Sequence, residues 1–145
     1  MIVSQILSSK AVSGILTLGS DASVAQAAGI MSEKRIGTIV VSDDGGATAA
    51  GILSERDIVR ELGKRGVSCM AETVGAMMTS KLITCGPSDT SDAILGKMTE
   101  GRFRHMPVLE DGKLVGLISI GDVVKARLSE LAMERDALEG MVMGH

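Results

Sequence analysis

The chain of 145 residues has no tryptophan, no tyrosine and a single phenylalanine, Phe103. Its interior must therefore be filled by Ile, Leu, Val, Ala and ten methionines, whose flexible thioethers fit irregular gaps. The same shortage removes the usual platform for stacking nucleic-acid bases. The two cysteines, Cys69 and Cys85, are too few and too isolated for a disulfide framework or a zinc site, and they read as reduced thiols. Charge of one sign is not in excess: a net −3 with both signs interspersed leaves no basic face for a phosphate backbone, so nucleic acid is not an expected partner. Every apolar run is broken by Gly, Ser or charge well short of the roughly 20 residues of a membrane span. No charged stretch leads into an apolar signal segment. A protein without membrane association, in the cytoplasm, is expected. Also missing are Gly-x-Gly-x-x-Gly, a phosphate loop ending in Gly-Lys-[Ser/Thr], Gly-x-Ser-x-Gly and any His/Glu metal cluster. Neither an enzyme nor a catalytic cofactor or metal is expected.

What is present is one pattern written twice. Val3-Ser4-Gln5-Ile6-Leu7-Ser8-Ser9-Lys10 returns 71 positions later as Val74-Gly75-Ala76-Met77-Met78-Thr79-Ser80-Lys81. Four extra residues in the first copy then reduce the offset to 67, at which Thr17 matches Thr84, Gly29 Gly96, Met31 Met98, Arg35 Arg102, Val41 Val108 and Asp44 Asp111. A second length change brings it to 65 and lays Gly51-Ile52-Leu53-Ser54-Glu55-Arg56-Asp57 over Gly116-Leu117-Ile118-Ser119-Ile120-Gly121-Asp122. Both changes fall where loops tolerate them.

Within each copy the pattern predicts strand, helix, hairpin, helix. Ile15 to Leu18 and Leu82 to Cys85 read as short strands leading into Ser/Thr/Asp-rich turns that cap a helix ending near Lys34 or Gly101. Thr38 to Val41 and His105 to Leu109 follow, each closed by an Asp-Gly turn and a return strand, Ala49 to Leu53 or Leu114 to Ile118. Helices from Glu55 to Arg65 and from Gly121 to about Met141 finish the copies. The expected fold is α/β, two small sheets packed about a pseudo-two-fold axis, with repeat 1 over 1–66, a linker at 67–73 and repeat 2 with its longer helix over 74–145. Neither half buries enough apolar surface to be comfortable alone, and a ligand is expected at their junction.

The segment Gly-h-h-Ser-x-x-Asp, with h apolar, stands at Gly51/Ser54/Asp57 and again at Gly116/Ser119/Asp122, between a buried strand and a helix start. It fits a variant capping box that satisfies orphan backbone N–H groups. It equally fits a ligand site. A helix N-terminus and a Ser hydroxyl offer donors to phosphate, an ionised Asp accepts from ribose hydroxyls, and Gly lets a ligand approach the strand. Asp57 and Asp122 have no evident acid-base partner, which argues against hydrolysis. Asp43-Asp44 and Glu110-Asp111 read as turn residues.

In this motif, in both copies, the chain from Val3 to about Leu128 resembles the CBS family as a stand-alone domain pair, or Bateman module. The resemblance implies tandem β-α-β-β-α units and a regulatory adenine-nucleotide ligand: AMP, ADP, ATP, a nicotinamide dinucleotide or an S-adenosyl compound. It carries ribose and phosphate contacts over to Ser54, Asp57, Ser119 and Asp122. Arg104 and His105, at the opening of the second hairpin, become phosphate candidates, and Gly37, Thr38 and Arg56 hold the corresponding places in the first copy. The base is expected against aliphatic walls at Ile36, Met106 and Ile83, near Thr17 and Thr84. With Arg104 and His105 expected beside Ser119 and Asp122, the Asp122 site is the expected phosphate preference. The resemblance also implies a homodimer stacked as a disc, to which the stripe Val124, Leu128, Leu131, Leu138 and Val142 would contribute, and a protein target still to be found. A structural dimerisation unit without ligand is the competing expectation.

Overall fold

The computed structural model describes residues 1–10 and 15–143. A short helix α1 (Val3–Ser8) precedes β1 (Thr17–Leu18), α2 (Val24–Lys34), the hairpin β2 (Thr38–Val41) and β3 (Gly51–Ser54), and α3 (Glu55–Arg65). A 3-10 turn (Val67–Ala71) leads to α4 (Val74–Met77), α5 (Ser91–Gly101), the hairpin β4 (His105–Glu110) and β5 (Lys113–Ser119), and α6 (Ile120–Val142). One sheet has the order β1-β2-β3, with β1 parallel to β2; the other is the antiparallel pair β4-β5.

The predicted strand at Leu82–Cys85 is reduced to a single parallel bridge, Cys85 to Val108. Pro107 explains this: its carbonyl accepts from the Cys85 N–H at 3.1 Å, but proline has no N–H with which to continue the ladder. The first copy has Val40 at that position and keeps the strand. The helices start as their caps demand, with the hydroxyls of Ser23, Thr73 and Thr90 each accepting from the N–H three residues on. Both α2 and α5 stop at an arginine in the left-handed region, Arg35 and Arg102, with φ 54° and 56°. The β4-β5 turn also needs positive φ, at Asp111 and Gly112, which makes it a two-residue hairpin.

Two cores form, and they do not follow the repeat boundaries. Val24, Ala27, Met31, Ile39, Val41, Leu53 and Ile58 of the first copy pack with Val74 of the second. Ile94, Met98, Met106, Val108, Ile118 and Val123 of the second pack with Val3 and Ile6 of the first. Each copy thus lends its leading helix to the other. The backbone repeats the exchange: Val3 N–H donates to the Asp89 carbonyl at 2.9 Å, and its counterpart Val74 N–H to the Ala22 carbonyl at 2.7 Å. Repeats drawn as 1–66 and 74–145 describe the sequence; the packed bodies are α1 with 80–143, and β1 through α4.

Candidate functional site

Each Ser-x-x-Asp motif first closes on itself as a cap. Ser54 accepts from the Asp57 N–H at 3.2 Å, while the Asp57 carboxylate accepts from the Ser54 N–H and hydroxyl, both at 2.9 Å. At the start of α6 the Asp122 N–H donates to the Ser119 hydroxyl at 3.1 Å and the Ser119 N–H to the Asp122 carboxylate at 2.9 Å. The ionic partners differ. Asp57 takes the guanidinium of Arg60, one turn further along α3. Asp122 takes the ammonium of Lys10 at 3.0 Å, and the same ammonium donates to the Leu117 carbonyl at 2.9 Å. Partial burial pushes the Asp122 carboxyl up, but the Ser119 N–H and the Lys10 ammonium outweigh it and hold it below the ordinary carboxylate value.

A cleft of about 490 Å³ opens between the copies. Its first wall is Gly37 and Thr38 at the start of β2, Ile52 on β3, and Ser54, Glu55, Arg56, Asp57 and Arg60 at the N-terminus of α3. The rest of the lining comes from the second copy: Thr79, which is bridged to Ile52, then Lys81, Leu82, Ile83 and Gly101 through His105. Thr38 Oγ1 and His105 Nδ1 meet 2.9 Å apart. These two are repeat equivalents at the offset of 67, so the pseudo-two-fold axis runs between them. Burial of the imidazole, with the Lys10 charge adding to it, lowers the His105 pKa below its ordinary 6.5. Among the described residues Arg56, Lys81, Arg102 and Arg104 have no ion-pair partner. Four unneutralised cations around one cleft at a helix N-terminus make it a place for an anion.

Of the residues singled out from sequence, Gly37, Thr38, Ser54, Arg56, Asp57, Ile83, Arg104 and His105 line this cleft. Ser119 and Asp122 do not, although His105 is the cross-strand partner of Ser119 and the Arg104 carbonyl accepts from the Ile120 N–H at 2.8 Å; Arg104 and His105 thus adjoin the second motif and also line the cleft with Ser54 and Asp57. Met106 is wholly buried in the second core, because alternation along β4 turns it inward when His105 faces the cleft. Ile36 packs against the first core, where its N–H closes on the Met31 carbonyl at 3.1 Å. Thr17 lies on β1 beside the Gly46 loop, and neither it nor Thr84 reaches the lining. The motif glycines admit protein rather than ligand. A Cβ on Gly51 would meet Met78 Sδ at 2.5 Å, and one on Gly116 would meet a Leu7 methyl at 2.7 Å. Leu7 and Met78 are repeat equivalents on the exchanged helices.

Residues that sequence reasoning passed over are Lys10, Lys81, Arg60, Arg102 and Phe103. Lys10 and Lys81 already stood opposite one another in the repeat, which was their signal. The turn acids have structural work: Asp44 accepts from the Ser42 hydroxyl at 2.8 Å and the Thr48 N–H at 2.9 Å, and hydrogen bonds from Thr48 above all lower its pKa to about 2. Cys69 and Cys85 are free and buried, and burial pushes the Cys85 thiol up to about 11. Among the described residues no His/Cys/Asp/Glu group could hold a metal, and no helix is long and apolar enough to cross a membrane.

Two copies, β-α-β-β-α in the first and the same with its first strand reduced to a bridge in the second, exchange their leading helices and enclose a cleft on their pseudo-two-fold axis, which defines a paired-repeat α/β module. The CBS domain family model matches residues 3–64 and again 74–129, and the chain belongs to that family. A solved CBS-domain containing protein from Agrobacterium tumefaciens is 41% identical with a TM-score of 0.82, over 88% of this chain and 99% of that one. A CBS domain protein from Pyrobaculum aerophilum, solved in complex with AMP, is 27% identical with a TM-score of 0.77, over 92% of this chain and 99% of that one. Among curated proteins, a mitochondrial CBS domain-containing protein of Arabidopsis thaliana is 37% identical over 128 residues, 86% of this chain and 62% of that protein. The chain thus spans less than two thirds of that relative, and only 23% of a second Arabidopsis relative.

Proposed function

We propose that this protein is a non-catalytic regulatory module that binds an adenine nucleotide in the cleft between its repeats and acts in the cytoplasm on a protein target. The observation that carries the reading is the set Arg56, Lys81, Arg102 and Arg104, unpaired among the described residues, around a cleft that also holds the N-terminus of α3. Phosphate takes charge-assisted hydrogen bonds from these cations, each contributing about 1.5–3 kcal/mol. Asp57 accepts from the ribose hydroxyls once Arg60 turns toward the phosphate, and Ile52, Leu82 and Ile83 supply apolar surface for the base. The AMP complex of the Pyrobaculum relative supports this ligand class.

A protein without Trp or Tyr hardly absorbs at 280 nm, so a co-purified nucleotide dominates the spectrum near 260 nm, and mass spectrometry names it. Ligand-free protein is then melted with AMP, ATP, NADH and S-adenosylmethionine. A bound ligand at a hundredfold excess over its Kd stabilises by about 2.7 kcal/mol. An unmoved midpoint with all four would favour the second reading, a structural dimerisation unit without ligand. That reading draws on α6, whose Val124, Leu128, Leu131, Leu138 and Val142 are all exposed. A homodimer through this helix is proposed under either reading.

A further inference from the structure

We infer that Lys10 closes the half-site at Asp122, so that each chain holds one nucleotide, at Asp57; the inference rests on the nucleotide reading above. The two halves are related by the repeat, yet their lysines are used differently. Lys10 and Lys81 are equivalents, and the exchange of leading helices carries each to the other copy's motif. On the Lys81 side, Thr79 and Ile52 trade backbone hydrogen bonds at 2.9 and 3.0 Å, and Asp57 is already held by Arg60 of its own helix. Lys81 lines the cleft and has no ion-pair partner among the described residues.

On the Lys10 side the equivalent of Ile52 is Leu117, and its carbonyl takes the Lys10 ammonium at 2.9 Å. The equivalent of Arg60 is Lys125, which is exposed and has no ion-pair partner among the described residues. Asp122 therefore draws its cation from Lys10, at 3.0 Å. The two locks differ in how readily they open. The Arg60 side chain is 55% exposed and, among the described residues, bound only to Asp57, so it swings to a phosphate at small cost. The Lys10 side chain is 30% exposed and anchored at both Asp122 and Leu117. A ribose hydroxyl at Asp122 has to displace an ammonium and leave the Leu117 carbonyl without that donor.

The probe is AMP, titrated calorimetrically into the full chain. The expected result is one AMP per wild-type chain, an affinity lowered about tenfold or more by Asp57→Asn, and little change with Asp122→Asn. Lys10→Met, which keeps the apolar stem, is expected to add a second binding event. Side-chain carboxyl NMR gives a ligand-free check: Lys10→Met raises the Asp122 titration midpoint. Two AMP per wild-type chain, an Asp122→Asn loss equal to that of Asp57→Asn, or an unmoved Asp122 midpoint each overturns the inference. No AMP binding by any variant overturns the nucleotide reading and the stoichiometry with it, while a raised Asp122 midpoint then marks the lysine contact itself as real.

Discussion

At the scale of single residues, the two motif glycines are alike in sequence and unlike in what they protect. A Cβ on Gly51 would come within 2.9 Å of the Thr79 carbonyl, which is backbone and bonded to Ile52, whereas on Gly116 its three nearest atoms all belong to the Leu7 side chain, which can turn away. Gly51→Ala is therefore expected to destabilise by about 1–3 kcal/mol and Gly116→Ala by less, read from denaturant midpoints. Equal costs would mean that the exchanged segments are not seated as described. His105 gives a second residue-scale prediction. Its pKa is lowered in the folded protein, so the unfolded chain binds more protons between that lowered value and 6.5, and stability rises with pH across this window. A phosphate in the cleft favours the imidazolium and reverses the shift, so AMP binding below pH 6.5 takes up protons. Calorimetry in buffers of different ionisation enthalpy measures the uptake, and His105→Gln should abolish it.

At the scale of elements, the exchange of leading helices makes a prediction that a plain tandem of domains does not. Val3 lies in the first repeat but is fully buried in the second core, against the sheet β4-β5. Val3→Ala is expected to cost roughly 2 kcal/mol and to lower hydrogen-exchange protection first in β4 and β5, leaving β2 and β3 for later. Loss of protection first in β2 and β3 would contradict the exchange. This element was invisible in the sequence for a physical reason: the repeat reads identically whether a leading helix packs on its own copy or on the other. Most element types were legible, because apolar periodicity, Ser/Thr caps and Asp-Gly turns each stand close to the backbone they govern. The strand at Leu82 to Cys85 was over-read, since the donor that Pro107 lacks lies on the partner strand. The site was legible as a set of residue types and not as an arrangement. Ser54, Asp57, Arg104 and His105 were singled out, but that the second copy's cations join the first copy's motif depends on how the bodies pack.

At the scale of the whole molecule, α6 is the element the chain does not use up. Val123 and Ala126 anchor its first turns in the second core, but Leu128, Leu131, Met133, Leu138, Met141 and Val142 are exposed along the rest. The C-terminal half of a 23-residue helix, with apolar side chains on view and Glu134, Arg135, Asp136 and Glu139 among them, is not stabilised by its own chain. Packing against the same helix of a second copy buries the stripe and leaves the charges at the rim. A dimer is therefore expected in light scattering at micromolar concentration. Leu131→Glu with Leu138→Glu should return it to monomer, by placing unpaired carboxylates in the contact. No residue of α6 lines the cleft, so the monomeric variant is expected to bind AMP with an affinity within a few fold of wild type. A wild-type chain that is already monomeric would sink the dimer. A variant that loses its dimer and its AMP affinity together would mean that the cleft is completed across the interface, and that the two copies in one chain are not enough.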